Sequence, residues 1–366
     1  MVGKNIVFRV DSGVNIGTGH LTRCITLAKA LRKRAKINCM FICRPHLGNV
    51  SSMVLEHDFT LLMLPKTSCS VVQNDCKSWL GASQIEDAAQ SSIVLKKNKI
   101  ENIDLLIFDH YAINYEWQDY FSTLTSKILV IDDLADRRHE CDFLLDQNFA
   151  FNYKRRYDTL VPDKCKKFLG VSYCLLKDDF FTIRKSVKPR HNTENLLVFF
   201  GGIDKDNCTE RLLVSLAGHL AQFKCVDVVV GIENPNKCEI ERICFKYENC
   251  FYHEQISNMA ELIARADFSI GACGATTGER IFLGLPAIVF SVADNQVQVS
   301  QFLHETESVH YVGAHTLISF KTVQLAINEY LGSREKIERI SSKLLAENES
   351  NLDFMINSLN SIEGFV

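Results

Sequence analysis

Short apolar runs, separated by longer segments with a helical period, dominate this chain. In the first half, residues 5–10, 37–42, 60–64, 104–108, 127–131 and 143–145 are predicted strands. Most are unbroken runs of Ile, Leu, Val and Phe rather than alternating ones, the pattern of strands covered on both faces. Helical spacing falls between them at residues 21–34, 85–97 and 115–124. A second series follows residue 195, with strands at 196–200, 225–230, 250–253, 268–270 and 287–290 and helices at 209–221, 259–265 and 276–283; from residue 321 onward the pattern is mostly helical. Strands alternating with helices predict an α/β protein with parallel sheets. The stretch 186–195, SVKPRHNTEN, is polar, carries Pro189 and has no hydrophobic period, so it reads as a linker. The expected architecture is therefore two Rossmann-like, doubly wound domains, 1–187 and 188–366. The second ends in a helical tail, and the glycine loops at the strand ends face a shared cleft that takes the ligand.

Composition narrows the function classes. The chain has 366 residues, 46% hydrophobic and 23% charged, with a formal net charge of −3. That charge gives no support to a nucleic-acid partner, and the short basic clusters Arg137-Arg138 and Lys166-Lys167 read as solvated surface. The longest apolar run, near 196–200, is far too short to span a bilayer. The opening residues MVGKNIVFRV pass almost directly into a strand without the pattern of a signal peptide, so a cytoplasmic location is expected. None of the 14 cysteines forms a Cys-x-x-Cys pair, and most lie in apolar contexts. They read as small buried hydrophobes, with no metal site expected.

Five segments carry candidate chemistry. Residues 8–28, FRVDSGVNIGTGHLTRCITLA, run from a strand through a glycine loop to a histidine at a helix start. Gly17 and Gly19 let backbone N–H groups approach an anion, and His20 beside it could move a proton. Asp11, at the end of the first strand, either orients His20 or a water molecule or caps the loop. In IFDHYAI, Asp109, His110 and Tyr111 end a buried strand, where proton-handling side chains suit a ligand site. Asp132, Asp133, Asp146, Gln147 and Asn148 end two further strands and read mainly as cleft wall. In FFGGID, Gly201 and Gly202 repeat the first loop's geometry in the second domain. The most specific segment is IGACGATTGERIFLGLPAIVFSVADNQ: Gly274, Ala275, Thr276 and Thr277 open a helix with residues suited to a diphosphate, and Glu279 in the first turn suits ribose hydroxyls. Asn295 begins the helix after the next strand.

Taken in order, R-x-D-S-x-x-x-I-G-x-G-H, D-H-Y, D-D-L-A-D-R with C-D-x-L-L-D-Q-N, F-G-G-x-D, and G-x-T-T-x-E-R with G-L-P and A-D-N-Q resemble the UDP-2,4-diacetamido-2,4,6-trideoxy-β-L-altropyranose hydrolases of pseudaminic acid biosynthesis. The resemblance spans residues 9–296. It implies a GT-B fold and a cofactor-independent enzyme that releases UDP from its nucleotide sugar by adding water. His20 matches the family's catalytic histidine, expected to activate the water, and Tyr111 and Asn295 match polar residues near the sugar. Glu279 would hold the ribose, while Gly201, Gly202 and residues 274–277 would hold the diphosphate. The uracil would rest near residues 253–256, Ile256 included. The chain departs from the pattern at Ala112, Cys273, Ala275 and Gly278, and residues 68–103 are longer and more polar than the family leads one to expect. The expected enzyme is a metal-independent, inverting hydrolase that works as a monomer on a small-molecule UDP-sugar. A GT-B glycosyltransferase and a non-catalytic nucleotide-sugar-binding protein are the alternatives.

Overall fold

The computed structural model describes residues 4–34, 36–67, 76–147, 152–274, 276–347 and 352–360. They divide into two units. Residues 4–147 and 152–175 form one together with the last helix, Leu352–Asn360, and residues 176–347 form the other.

The first unit is built on seven strands: β1 (Lys4–Val10), β2 (Ile37–Cys43), β3 (Thr60–Met63), β4 (Ile103–Asp109), β5 (Thr125–Ile131), β6 (Phe143–Asp146) and β7 (Lys166–Leu169). All pairings are parallel, in the order β3-β2-β1-β4-β5-β6-β7. The second unit has six: β8 (Asn195–Phe199), β9 (Cys225–Val230), β10 (Cys250–Glu254), β11 (Phe268–Ala272), β12 (Ala287–Ser291) and β13 (His310–Ala314). These too are parallel, in the order β10-β9-β8-β11-β12-β13. Each sheet winds outward from its first strand and then crosses to that strand's other side. The chain therefore leaves β1 and β4 toward opposite faces, as it leaves β8 and β11, and each pair of loops parts at a switch point. Both units are Rossmann-like.

The central strands are those that the apolar runs predicted, because a strand buried on both faces is apolar throughout. Phe8 of β1 stacks on Phe41 of β2 at 4.5 Å between ring centroids, and Trp117 stacks on Phe121 at the same spacing. Two edge strands, β7 and β13, were not foreseen. An edge strand pairs on one side only and needs no continuous apolar run: β7 is KKFL and β13 is HYVGA, largely half-buried. The Lys166-Lys167 pair is thus part of a strand rather than only a solvated patch. Lys166 Nζ donates to Ser358 Oγ at 2.7 Å and lies 4.6 Å from the centroid of the Phe354 ring, which ties the last helix to the first unit.

The division of the chain differs from the sequence reading in two places. The split falls between Leu175 and Leu176 rather than between 187 and 188, and the end of the helical tail returns to the first unit. Residues 186–195 are no free linker. Arg190 is buried, and its guanidinium donates to the carbonyls of Ile263 (3.1 Å), Ala266 (3.3 Å) and Leu283, so this segment is pinned inside the second unit. A buried guanidinium can replace its hydration with backbone acceptors, and a composition-based reading does not see that exchange.

Candidate functional site

In the first unit, β1 gives way at its carboxyl end to a turn closed by Gly13 and Gly17. The Gly17 N–H donates to the Gly13 carbonyl at 2.7 Å, with Gly17 at φ 82°, a conformation that glycine adopts at little cost. The helix Gly19–Arg32 follows. No side chain caps its first amides and no acidic residue stands in its first turn, so its positive end is left to other acceptors.

His20, the second residue of that helix, is buried, and its Nδ1 lies 2.6 Å from Asp109 Oδ1. Asp109 ends β4, in register opposite Val10 of β1, so the switch point itself brings helix start and carboxylate together. Arg23 stands one helical turn beyond His20 and grips the same carboxylate with two bonds, Nε to Oδ2 at 2.5 Å and Nη2 to Oδ1 at 2.6 Å. Its Nη1 reaches Asp133 Oδ2 at 3.1 Å. Burial alone would raise the Asp109 pKa, but the Arg23 cation and His20 outweigh it and hold the carboxyl well below its ordinary range. An ionised Asp109 can only accept, so His20 Nδ1 is the donor in this contact and Nε2 is the ring nitrogen left for other partners.

An aromatic wall adjoins this dyad. The Tyr111 ring meets His20 edge-on at 4.6 Å, and Trp79 stacks on Tyr111 at 5.6 Å with 27° between planes. Burial and the neighbouring Asp133 carboxylate push the Tyr111 hydroxyl well above its usual pKa, so it stays protonated and able to donate.

Asp11 and His110, which the sequence offers as ligand contacts, are engaged in a different assembly. Asp11 is fully buried. It accepts from Arg9 Nη1 and the Arg44 amide, both at 2.7 Å, and from His110 Nε2 at 3.1 Å. The Ala112 amide donates to His110 Nδ1 at 3.1 Å, which assigns the proton to Nε2. Arg9 also grips Asp87, which Arg44 and Trp117 share. Asp11 and His110 thus satisfy a buried charge network behind the loop, the structural role that the sequence left open for Asp11.

In the second unit the loop after β8 carries Gly201 at φ 110°, with no atom within 4 Å of where its Cβ would stand. Asp204 closes the loop by accepting from the Cys208 and Thr209 amides at 2.9 and 2.8 Å. Gly202 lies tight against Gly231, and Gly271 of β11 faces Phe199 of β8 so closely that a Cβ would fall 1.9 Å from the Phe199 carbonyl oxygen. The loop after β11 holds Gly274, and Thr276 opens the helix Thr276–Phe282; Ala275 lies outside the described residues. Thr277 is buried and accepts from Arg280 at 3.1 Å, which gives it an internal partner. Glu279 Oε2 is shut off from solvent with no hydrogen-bond partner, and burial pushes its carboxyl up to about 7 against the pull of Lys177 and Arg280. Such an acceptor suits a donor diol. Asn295 is exposed at the first turn of the helix Asn295–Glu305, and Ile256 is half-buried just beyond β10.

Three residues of the first-unit cluster were not singled out from the sequence: Arg23, Trp79 and, beyond its place at a strand end, Asp133. Arg23 carried a usable signal, because three residues after His20 puts it on the same helix face. Trp79 carried none, since its place depends on how a polar segment folds back. Among the described residues, no group of three or more His, Cys, Asp or Glu is placed to hold a metal ion, and no helix is long and apolar enough to cross a membrane.

No family profile matches the chain. A protein of Campylobacter jejuni subsp. jejuni, UDP-2,4-diacetamido-2,4,6-trideoxy-beta-L-altropyranose hydrolase, is 26% identical over 299 residues, covering 81% of this chain and 95% of that protein. Spore coat polysaccharide biosynthesis protein SpsG of Bacillus subtilis is 22% identical over 327 residues, 88% of each. Among solved structures, Acinetobacter baumannii MurG matches with TM-score 0.63 at 12% identity, covering 98% of this chain and 99% of that one. A Staphylococcus aureus MnaA–UDP co-structure matches with TM-score 0.62 at 10% identity, covering 99% and 98%. At such identities these structures establish the fold, which is GT-B.

Proposed function

From a resemblance to the UDP-2,4-diacetamido-2,4,6-trideoxy-β-L-altropyranose hydrolase family that runs over four fifths of the chain, we propose that this enzyme hydrolyses a UDP-linked acylamino sugar to the free sugar and UDP. The observation that carries the reading is the 2.6 Å contact of His20 Nδ1 with Asp109. It fixes the imidazole through Nδ1 and leaves Nε2 for a water molecule beside an uncapped helix start, an arrangement that simple binding of a nucleotide sugar would not need.

In the proposed reaction a water oxygen attacks the anomeric carbon on the face opposite the leaving group and gives its proton to His20 Nε2. The bond from that carbon to the diphosphate oxygen breaks, UDP departs with the electron pair, and the sugar configuration inverts. Positioning one water and stabilising the departing charge are the protein's main tasks, because the diphosphate is already a good leaving group. Gly201, Gly202, Gly274 and Thr276 offer backbone and hydroxyl donors to the diphosphate, and Glu279 accepts from the ribose hydroxyls. Tyr111 and Asn295 donate to the sugar, and Ile256 borders the uracil. The donors at the helix starts supply the charge stabilisation without a metal.

The second reading, transfer of the sugar to an acceptor other than water, draws support from a structural neighbour described as a UDP-glucosyltransferase from Polygonum tinctorium. One assay separates the two. The protein is incubated with the UDP-linked diacetamido sugar in EDTA without acceptor, and the products are followed by proton NMR. Stoichiometric UDP and an initially inverted free sugar are expected; an intact substrate that is consumed only after a sugar or lipid acceptor is added would establish the transferase instead.

A further inference from the structure

Trp79 lies within the long polar segment that separates this chain from the family pattern, on the short 3-10 turn Cys76–Leu80. Its side chain is not on the surface: the residue is only 9% exposed, stacked 5.6 Å from Tyr111 and 6.4 Å from the His20 ring. Ile16, Trp79 and Tyr111 form one apolar cluster, with Cys76 and Leu134 packed against it. In the midst of that cluster the indole Nε1–H is buried without a hydrogen-bond partner. The chain's other tryptophan, Trp117, makes the contrast plain, since its Nε1–H donates to Asp87 at 2.9 Å. Buried donors are almost always satisfied in a working state, so an unpartnered one beside a reactive histidine points to something that arrives there.

The chemistry of the surrounding side chains limits what that is. An indole nitrogen only donates, so the incoming atom is an acceptor. The surrounding wall is aromatic and aliphatic, so the substituent next to that acceptor is apolar. An amide carbonyl with a methyl group meets both demands, whereas a hydroxyl or a charged group would leave polar valences against Ile16 and Leu134. Resting on the UDP-sugar reading above, we propose that Trp79 is a specificity-determining residue whose indole N–H binds the carbonyl oxygen of an N-acyl group on the sugar. Segment 76–80 thereby selects acylamino sugars over their hydroxyl counterparts. A site built to pair an acceptor discriminates against a substrate that lacks it more strongly than an apolar pocket does against a missing methylene.

Two tryptophans give two indole signals in an ¹⁵N-correlated NMR spectrum of the full chain, and Trp79→Phe identifies the Trp79 signal by deleting it. Titrating the His20→Asn protein, in which turnover is expected to stop, with the UDP-linked diacetamido sugar should move the Trp79 indole proton downfield. Trp117 should stay still, and UDP alone should leave both in place. In the otherwise unaltered enzyme, Trp79→Phe should lower the ratio of kcat/KM for the acylated sugar to that for a 2-hydroxy UDP-hexose on the order of tenfold. Turnover or saturable binding of the acylated sugar with an unmoved Trp79 signal overturns this proposal and leaves the hydrolase reading intact. If the acylated sugar neither binds nor reacts while UDP still binds, both are overturned.

Discussion

Arg23 and His20 share one carboxylate. Arg23 holds Asp109 through Nε and Nη2 at 2.5 and 2.6 Å, while the imidazole Nδ1 rests on Oδ1 at 2.6 Å. Arg23 supplies a permanent cation that keeps Asp109 ionised, and the carboxylate fixes the imidazole ring.

Replacing His20 by Asn should therefore stop turnover while UDP still binds. A loss of at least about 10²-fold in kcat is expected for removing a general base, measured by coupled UDP release, with calorimetry showing the UDP affinity within a factor of about three. A variant that turns over at a comparable rate would take His20 out of the mechanism.

Arg23→Lys keeps the charge and loses the two-pronged grip. A fall of about 10–100-fold in kcat with little change in KM is expected, together with a shift in the acid limb of the rate profile against pH. An unchanged profile with a lowered melting temperature would make Arg23 purely structural.

The proposed role of Glu279 in holding the ribose would link nucleotide binding to pH. Its folded-state carboxyl is pushed up to about 7 by burial, above its unfolded value, so its contribution to stability is whole at low pH and is lost as pH rises toward 7. Ribose hydroxyls donate to the ionised form. UDP affinity should thus rise between about pH 6 and pH 8, with a proton released on binding near the lower end. Glu279→Gln should flatten that dependence, as calorimetry in buffers of different ionisation enthalpy would show.

The buried network around Asp87 should dominate acid stability. Burial would raise the carboxyls of Asp11 and Asp87, but the Arg9 cation prevails and depresses them. Their contribution is complete above the ordinary carboxylate range and is lost as pH falls through the depressed values, so cooperative unfolding should begin only below about pH 4. Asp87→Ala leaves Arg9 and Arg44 short of a partner. It should cost about 3–5 kcal/mol in urea denaturation, and a cost under about 1 kcal/mol would mean that water takes the carboxylate's place.

Gly231→Ala tests the packing behind the Gly201-Gly202 loop. An added Cβ would stand 2.1 Å from the Gly202 carbonyl oxygen, so the loop must shift. UDP binding should weaken about tenfold or more although residue 231 touches no proposed ligand group; unchanged affinity would remove that loop from the nucleotide site.

The sequence by itself determined the two parallel α/β units and most of their strands, because a strand covered on both faces must be apolar along its length, as 104–108 and 196–200 are. It also marked His20, Tyr111, Gly201 and Glu279, whose positions at strand ends and helix starts follow from local pattern. It did not show β7 and β13, since edge strands escape that demand, nor the role of Arg190, whose carbonyl partners come from Ile263, Ala266 and Leu283. The tertiary structure alone decided which polar residues satisfy one another in the interior. Asp11, His110 and Asp109 all end central strands and read alike in sequence. The crossover that sets Val10 opposite Asp109 gives His20 its carboxylate, while Arg9, Arg44 and Asp87, far apart in the chain, draw Asp11 and His110 into the interior. Trp79 was decided the same way: only the fold of its polar segment onto Tyr111 brings an unpaired donor to the histidine, and long-range closure of that kind leaves no periodic trace in the chain.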